Sequence, residues 1–157
     1  MESPAPGEQI LTTLLLEKFD QLTEALASIP PEQANSLLPV QGSNSPVQLM
    51  LHCCGMMRRW SSTVNLGVEV PRDRAAEFTA VMDKEAALQL ASDARKSFVN
   101  DLALTAMHDA PIAAPPGRDS EYWMATCEGV LMHVLEELCQ HLGHLEITRD
   151  VLNLPAC

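Results

Sequence analysis

The segment EELCQHLGHLEI, Glu136 to Ile147, sets two carboxylates and two histidines into what otherwise reads as a leucine-bearing helix, and a third histidine, His133, lies just upstream. Only five histidines occur in the whole chain. Imidazole and carboxylate groups serve as metal ligands, as general acids and bases, or as hydrogen-bonded core groups, and the choice depends on where each side chain points. Turning about 100° per residue along a helix brings Trp123, Cys127, Val130, Val134, Leu138, Leu145 and Leu152 onto one arc, with His141 near its middle. Glu137 and His144 fall on one border of that arc and His133 slightly further out, whereas Glu136, Gln140, Glu146 and Asp150 point away. The adjacent glutamates therefore differ: Glu136 is predicted in solvent and Glu137 leaning inward.

A second candidate comes from a different part of the chain. In SPVQLMLHCCGMMRRW the apolar arc is Leu49, Cys53, Met56, Trp60 and Val64, with His52 on its border. Burying an ionised carboxylate beside imidazoles is costly unless the group is paired or binds a metal. Alone, a buried histidine is ordinarily a hydrogen-bonded core residue, and His52 would be read so. Glu137 and His141 change the balance, because residues four apart on a helix project side by side and can bind one ion. From these residues by themselves a metal site and an ordinary polar core pair both stay open. His108, in a Pro-rich loop, reads as solvated, and Arg58-Arg59 as a surface charge pair.

The elements that must position these groups are helical. Ile10, Leu11, Leu14, Leu15, Leu22, Leu26 and Ile29 recur at helical spacing until Pro30-Pro31 ends the first helix. The long connection PPEQANSLLPVQGSN follows. Ser45 as N-cap, Pro46 in the first helical position and Gln48 completing a capping box then open a second helix running to about Leu66. After the connection GVEVPRDRAAEF, Asp83 caps a third helix whose apolar side is Ala87, Ala91, Ala94, Phe98 and Leu102. The connection MHDAPIAAPPGRD leads to a fourth, expected to open near Ser120 and continue to about Leu152. With no period-two alternation and no hairpin signal, the fold class is all-α, a four-helix bundle. Its first two connections are long enough to cross over, and residues 1–157 form a single domain.

Composition narrows the partners. The formal charge is −11, from 21 acidic and 10 basic residues, so a nucleic-acid backbone is repelled, and six aromatic residues leave few rings for stacking bases. No apolar run is long enough to span a bilayer, and the opening MESPAPGEQ lacks a signal peptide's basic flank and apolar run. A cytoplasmic protein without membrane or nucleic-acid partners is expected. The five cysteines, Cys53, Cys54, Cys127, Cys139 and Cys157, form no C-x-x-C pair and read as reduced, mostly buried thiols.

SPVQLMLHCCGMMRRW resembles the second-helix segment of DinB/YfiT-like proteins, in which one metal-ligating histidine is followed by a ring-bearing turn. HVLEELCQHLGHLEITRDVL is similar to their last-helix signature: a His or Glu, three residues, a His, one residue, a Gly, and a Gln or His. Those positions here are Glu137, His141, Gly143 and His144. The resemblance runs over nearly the whole chain, with the RDRAAEF connection in order between the two motifs.

What the resemblance implies is a bundle with a divalent ion near one end, zinc with nickel as the alternative, on His52, Glu137 and His141. A Glu at the first signature position resembles the branch that includes mycothiol-dependent maleylpyruvate isomerases and related thiol transferases. Three protein ligands leave a coordination position open, as in catalytic zinc sites. The family uses that position to activate a low-molecular-weight thiol such as mycothiol or bacillithiol, and the implied activity is a metal-dependent S-transferase acting on a small electrophile. The isomerases carry an additional C-terminal domain with a catalytic basic residue, which has no counterpart in these 157 residues. The competing reading is a non-catalytic bundle that binds metal or thiol. His144, one turn beyond His141, is the candidate catalytic residue, orienting Glu137 or taking the thiol proton, with His133 the other available base. A homodimer is kept open as the assembly.

Overall fold

The computed structural model describes residues 5–153, all-helical, with no strand among them. Cys157 and the extreme ends of the expected domain lie outside the described residues. Four long helices, α1 (Pro6–Ala27), α2 (Pro46–Arg58), α4 (Lys84–Leu104) and α5 (Cys127–Val151), surround one core, and a short α3 (Arg74–Glu77) lies between α2 and α4. None of them is long and apolar enough to cross a membrane.

The helix starts follow their local chemistry. The Ser45 hydroxyl accepts from Gln48 N–H at 3.2 Å while Gln48 Oε1 accepts from Ser45 N–H at 2.9 Å, the capping box expected at α2. Asp83 accepts from the backbone N–H groups of Glu85 and Ala86 at the start of α4.

The core takes Leu15, Phe19, Leu22 and Leu26 from α1, Met50, Cys53 and Met57 from α2, Ala91 and Phe98 from α4, and Leu131, Leu138 and Leu145 from α5. Each large apolar side chain so buried contributes about 1.5–3 kcal/mol. α1 packs chiefly on α5, and α2 chiefly on α4, with α1–α4 and α2–α5 completing the packing. α2 packs directly on α4, so the second connection joins neighbouring helices; the first and third connections join the helix pairs that touch least.

Two stretches depart from the periodic reading. After Arg58 the second helix widens into a π-helical segment, Arg59–Asn65. Inserted residues of this kind turn the following side chains relative to an α-helical projection. Ahead of α5, the residues from Ser120 are not α-helical as expected: Tyr122–Ala125 form a 3-10 turn and Thr126 caps α5, accepting from Gly129 N–H at 3.1 Å. The cause is Gly129, where a Cβ would stand 2.3 Å from the Trp123 carbonyl oxygen, so only glycine lets the turn fold down onto the helix. Carbonyls of the preceding loop complete the helix start, Asp109 accepting from Cys127 N–H and Met107 from Glu128 N–H, both at 2.8 Å.

Candidate metal centre

His52 from α2 and Glu137 and His141 from α5 meet at one end of the core. One potential ligand atom from each lies within 4.8 Å of the others. Glu137 Oε2 is 3.6 Å from His141 Nε2 and 4.0 Å from His52 Nε2, and the two imidazole rings meet edge-on with centroids 4.7 Å apart. Two imidazole nitrogens and one carboxylate oxygen are a donor set that zinc accepts. With metal–ligand lengths near 2.1 Å, tetrahedral donors stand roughly 3.4 Å apart; the two glutamate–histidine separations lie within about 0.6 Å of that, and the widest separation in the trio, up to 4.8 Å, would have to close by about 1.4 Å around an ion.

His52 is more deeply placed than its position on the arc border suggested, only 4 % exposed. The reason is α3, read from the sequence as plain connection. Asp73 caps it by accepting from Ala76 N–H at 3.0 Å, and the turn delivers Glu77 and Phe78 onto the histidine. Glu77 Oε2 accepts from His52 Nδ1–H at 2.9 Å, which leaves Nε2 free to face Glu137 and His141. Arg72 holds the same carboxylate in a fork, Nε to Oε1 at 2.6 Å and Nη2 to Oε2 at 2.8 Å. Gly55 makes room: a Cβ there would lie 2.2 Å from Glu77 Oε1 and 2.9 Å from Arg72 Nε. A carboxylate behind a ligating histidine fixes the tautomer and raises ligand basicity. Sequence reasoning missed Glu77, for which the available signal was a glycine three residues after His52 together with the second of the two acids in RDRAAEF.

Electrostatics favours the ligand forms of His52 and Glu137. Burial lowers the His52 pKa below the ordinary value of 6.5, against the opposing pull of the Glu77 hydrogen bond and charge, with smaller lowering from His141 and Arg72. The hydrogen bond from His141, helped by the charges of His133, His141 and His52, lowers the Glu137 carboxyl against the opposing effect of burial. His141 Nδ1 is buried without a hydrogen-bond partner among the described residues.

Beside the trio lies a cavity of about 220 Å³ lined by His52, Glu137, His133, Met56, Trp60, Pro115 and four arginines. Trp60 forms its aromatic side, edge-on to His133 and to Trp123, whose ring lies behind and stacks on His133 at 4.0 Å. His133, expected outside the arc, is thus covered, and its Nε2 stands 3.9 Å from Glu137 Oε1. The cavity thus brings together two of the candidate metal ligands, a further histidine and an aromatic wall.

A family model described as mycothiol-S-transferase matches residues 10–153, which takes in every residue of this site. The chain belongs to that family. The family lies within the DinB/YfiT-like superfamily, in agreement with the resemblance of the two motifs. Neither curated proteins nor solved structures gave a match.

Cys53 and Cys54 are buried, and burial pushes the Cys53 thiol well above its ordinary value and the Cys54 thiol to about 12. Cys127 is buried as well, so the described cysteines are mostly buried as expected, and Cys139 is exposed. His144 is exposed too; its ring meets that of His141 edge-on at 5.4 Å, and it borders a separate recess with Leu38, Asn44 and Leu49. His108 is solvated as expected, 3.2 Å from Glu8. The reading of Arg58-Arg59 as a surface pair needs correction. Arg58 turns inward to a buried ion pair with Asp101, which also accepts from the Ser61 hydroxyl at 2.5 Å, and Arg59 lines the site cavity.

Proposed function

We propose that this protein is a metal-dependent mycothiol S-transferase, a single four-helix-bundle domain of DinB type in which His52, Glu137 and His141 hold a divalent ion, zinc foremost. The observation that carries the reading is the convergence of three ligand atoms from two helices beside a small cavity, in a chain of this family. A divalent ion on three protein ligands keeps a free coordination position and lowers the pKa of a thiol bound there, supplying a thiolate near neutral pH.

The remaining steps belong to side chains. Glu77 and Arg72 hold His52 in the tautomer that presents Nε2 to the site. Burial keeps His52 neutral, hence available as a ligand. His133, lining the cavity and 3.9 Å from Glu137, is placed to accept the thiol proton. His144, which touches His141 rather than the cavity, acts as a positioning residue for that ring. Trp60, Trp123 and Met56 exclude water from one side, which strengthens electrostatic interactions within.

The test is conjugation of mycothiol to a chlorobimane by the zinc-loaded protein. Acceleration that a chelator abolishes and zinc restores is the expected result. Thiol binding without turnover would sink the transferase and leave a binding protein. Elemental analysis of His52→Ala and His141→Ala should show metal loss; retention of a full equivalent by both would remove the site. Exchange against zinc guards against nickel acquired during purification.

A further inference from the structure

The chain carries ten Lys and Arg side chains against 21 acids, yet four of those ten, Arg59, Arg72, Arg74 and Arg118, line the one small cavity beside the ligand trio. Glu137 is the only acid among the residues lining it. Arg72 is spent on Glu77. The other three form no ion pair among the described residues; each lies over a ring instead, Arg59 6.0 Å from the centroid of Trp60, Arg118 6.0 Å from Trp123 and Arg74 5.1 Å from Phe78. Elsewhere three cations pair with acids, Arg58 with Asp101, Arg95 with Asp20 and Lys96 with Asp93, while Lys18 reaches the Gln21 amide oxygen and Lys84 the carbonyls of Ala27 and Ile29. Guanidinium groups gathered at a concave surface without counter-charges repel one another, and a cleft of one sign concentrates ligands of the other. Bringing a divalent cation to the trio only increases the excess.

We propose that this cavity is a carboxylate-binding subsite, and that the electrophile conjugated here is a small organic acid whose carboxylate is received by Arg59 and Arg118. The inference rests on the transferase reading and adds the charge class of the second substrate. Mycothiol does not account for the lining, because its cysteine carboxyl is consumed in an amide and the remainder is uncharged sugar and cyclitol. Planar guanidinium forks match carboxylates bidentately. Arg59, on the π-helical segment, and Arg118, on the loop before α5, approach from different elements, so a carboxylate between them would orient its reacting carbon relative to His52 and Glu137. The cavity is smaller than the roughly 300–1,000 Å³ that buries a drug-sized ligand, which suits a compact acid.

The test uses two probes that differ in charge and share a leaving group, iodoacetate and iodoacetamide. In both, the mycothiol sulfur forms a C–S bond as the C–I bond breaks, iodide leaves and the thiol proton passes to solvent. With zinc-loaded protein, the ratio of enzymatic rates, each divided by its uncatalysed rate, should favour iodoacetate by about tenfold or more, and Arg59→Gln with Arg118→Gln should remove that preference. A second readout needs neither metal nor turnover. Succinate, titrated into chelator-treated protein at constant ionic strength, should change the emission of Trp60 and Trp123 saturably; succinamide should not, and the double variant should weaken binding about tenfold or more. Arg118 is exposed on a loop, so Arg118→Gln alone serves if the double variant folds poorly. Iodoacetamide conjugated as well as iodoacetate overturns the carboxylate subsite while leaving the transferase intact. Neither reagent accelerated, with succinate binding still dependent on the arginines, overturns the transferase and retains the anion site.

Discussion

Replacing Glu77 by glutamine preserves the shape of the side chain and removes its charge at the back of the proposed metal site. In the native structure the carboxylate accepts from His52 Nδ1–H at 2.9 Å and from Arg72 at 2.6 and 2.8 Å. The amide of Gln retains one oxygen for three N–H donors, so the imidazole becomes a weaker base at Nε2 and loses part of its orientation. Losing such a partner costs roughly 10- to 100-fold in metal affinity, which is about 1.4–2.7 kcal/mol. Arg72 and Glu77 expose only 12 % and 9 % of their side chains, and leaving one member of a buried pair uncompensated costs about 3–5 kcal/mol. Gln softens that loss, whereas Glu77→Ala would take it in full and confound affinity with folding; Gln is therefore the informative substitution. Zinc affinity should be measured by competition with a chromophoric chelator, and stability of the metal-free proteins by urea unfolding. Gly55→Ala provides an independent route, because its new Cβ displaces the same carboxylate. Zinc affinity within twofold of wild type in a folded Glu77→Gln protein would refute the reasoning, since the proposed ligand would then be indifferent to the group that orients it.

Other outcomes follow from the same geometry. Metal-free protein should retain most of its helical circular dichroism, because the core is drawn from all four long helices; collapse to coil would make the ion structural. That apo protein should lose stability as pH falls below the ordinary histidine value of 6.5: burial lowers the folded-state pKa of His52, so the unfolded chain takes up the proton first. The loss continues at lower pH as the depressed Glu137 carboxyl protonates, and thermal melts of wild type and His52→Gln should diverge across that window. Alkylation at about pH 8, mapped by mass spectrometry, should mark exposed Cys139 and spare Cys53 and Cys54, whose thiols burial holds protonated. In single-turnover conjugation, His133→Gln should cost roughly a hundredfold and His144→Ala roughly tenfold, both with metal retained; an unchanged rate from about pH 6 to 9 removes that residue from the mechanism.

The features legible in the sequence were those set by local chemistry or an unbroken period. Ser45, Pro46 and Gln48 announce the start of α2 within four residues, and the spacing from Glu137 to His141 places both on one face of α5 because that helix is regular from Cys127 to Val151. The misread features arise where the period changes or a partner comes from far along the chain. A projection at 3.6 residues per turn treats Arg58 and Arg59 as one surface pair, but the π-helical segment beginning at Arg59 separates them, one to Asp101 and the other to the cavity. Trp123 projects onto the α5 arc only if helix runs through Ser120; the actual turn, permitted by Gly129, sets its ring flat on His133 and converts a histidine projected beyond the arc's border into part of the site wall. Glu77 was hidden for a different reason, since nothing local distinguishes it from Glu85 or Glu121, and its role arises only when α3 docks 25 positions from His52. Departures from regular periodicity are concentrated around the proposed site. This is the physical expectation when a fold must aim histidines and guanidinium groups inward, because regular helices with apolar stripes bury hydrocarbon well and offer few ways to bring charged groups together from different elements.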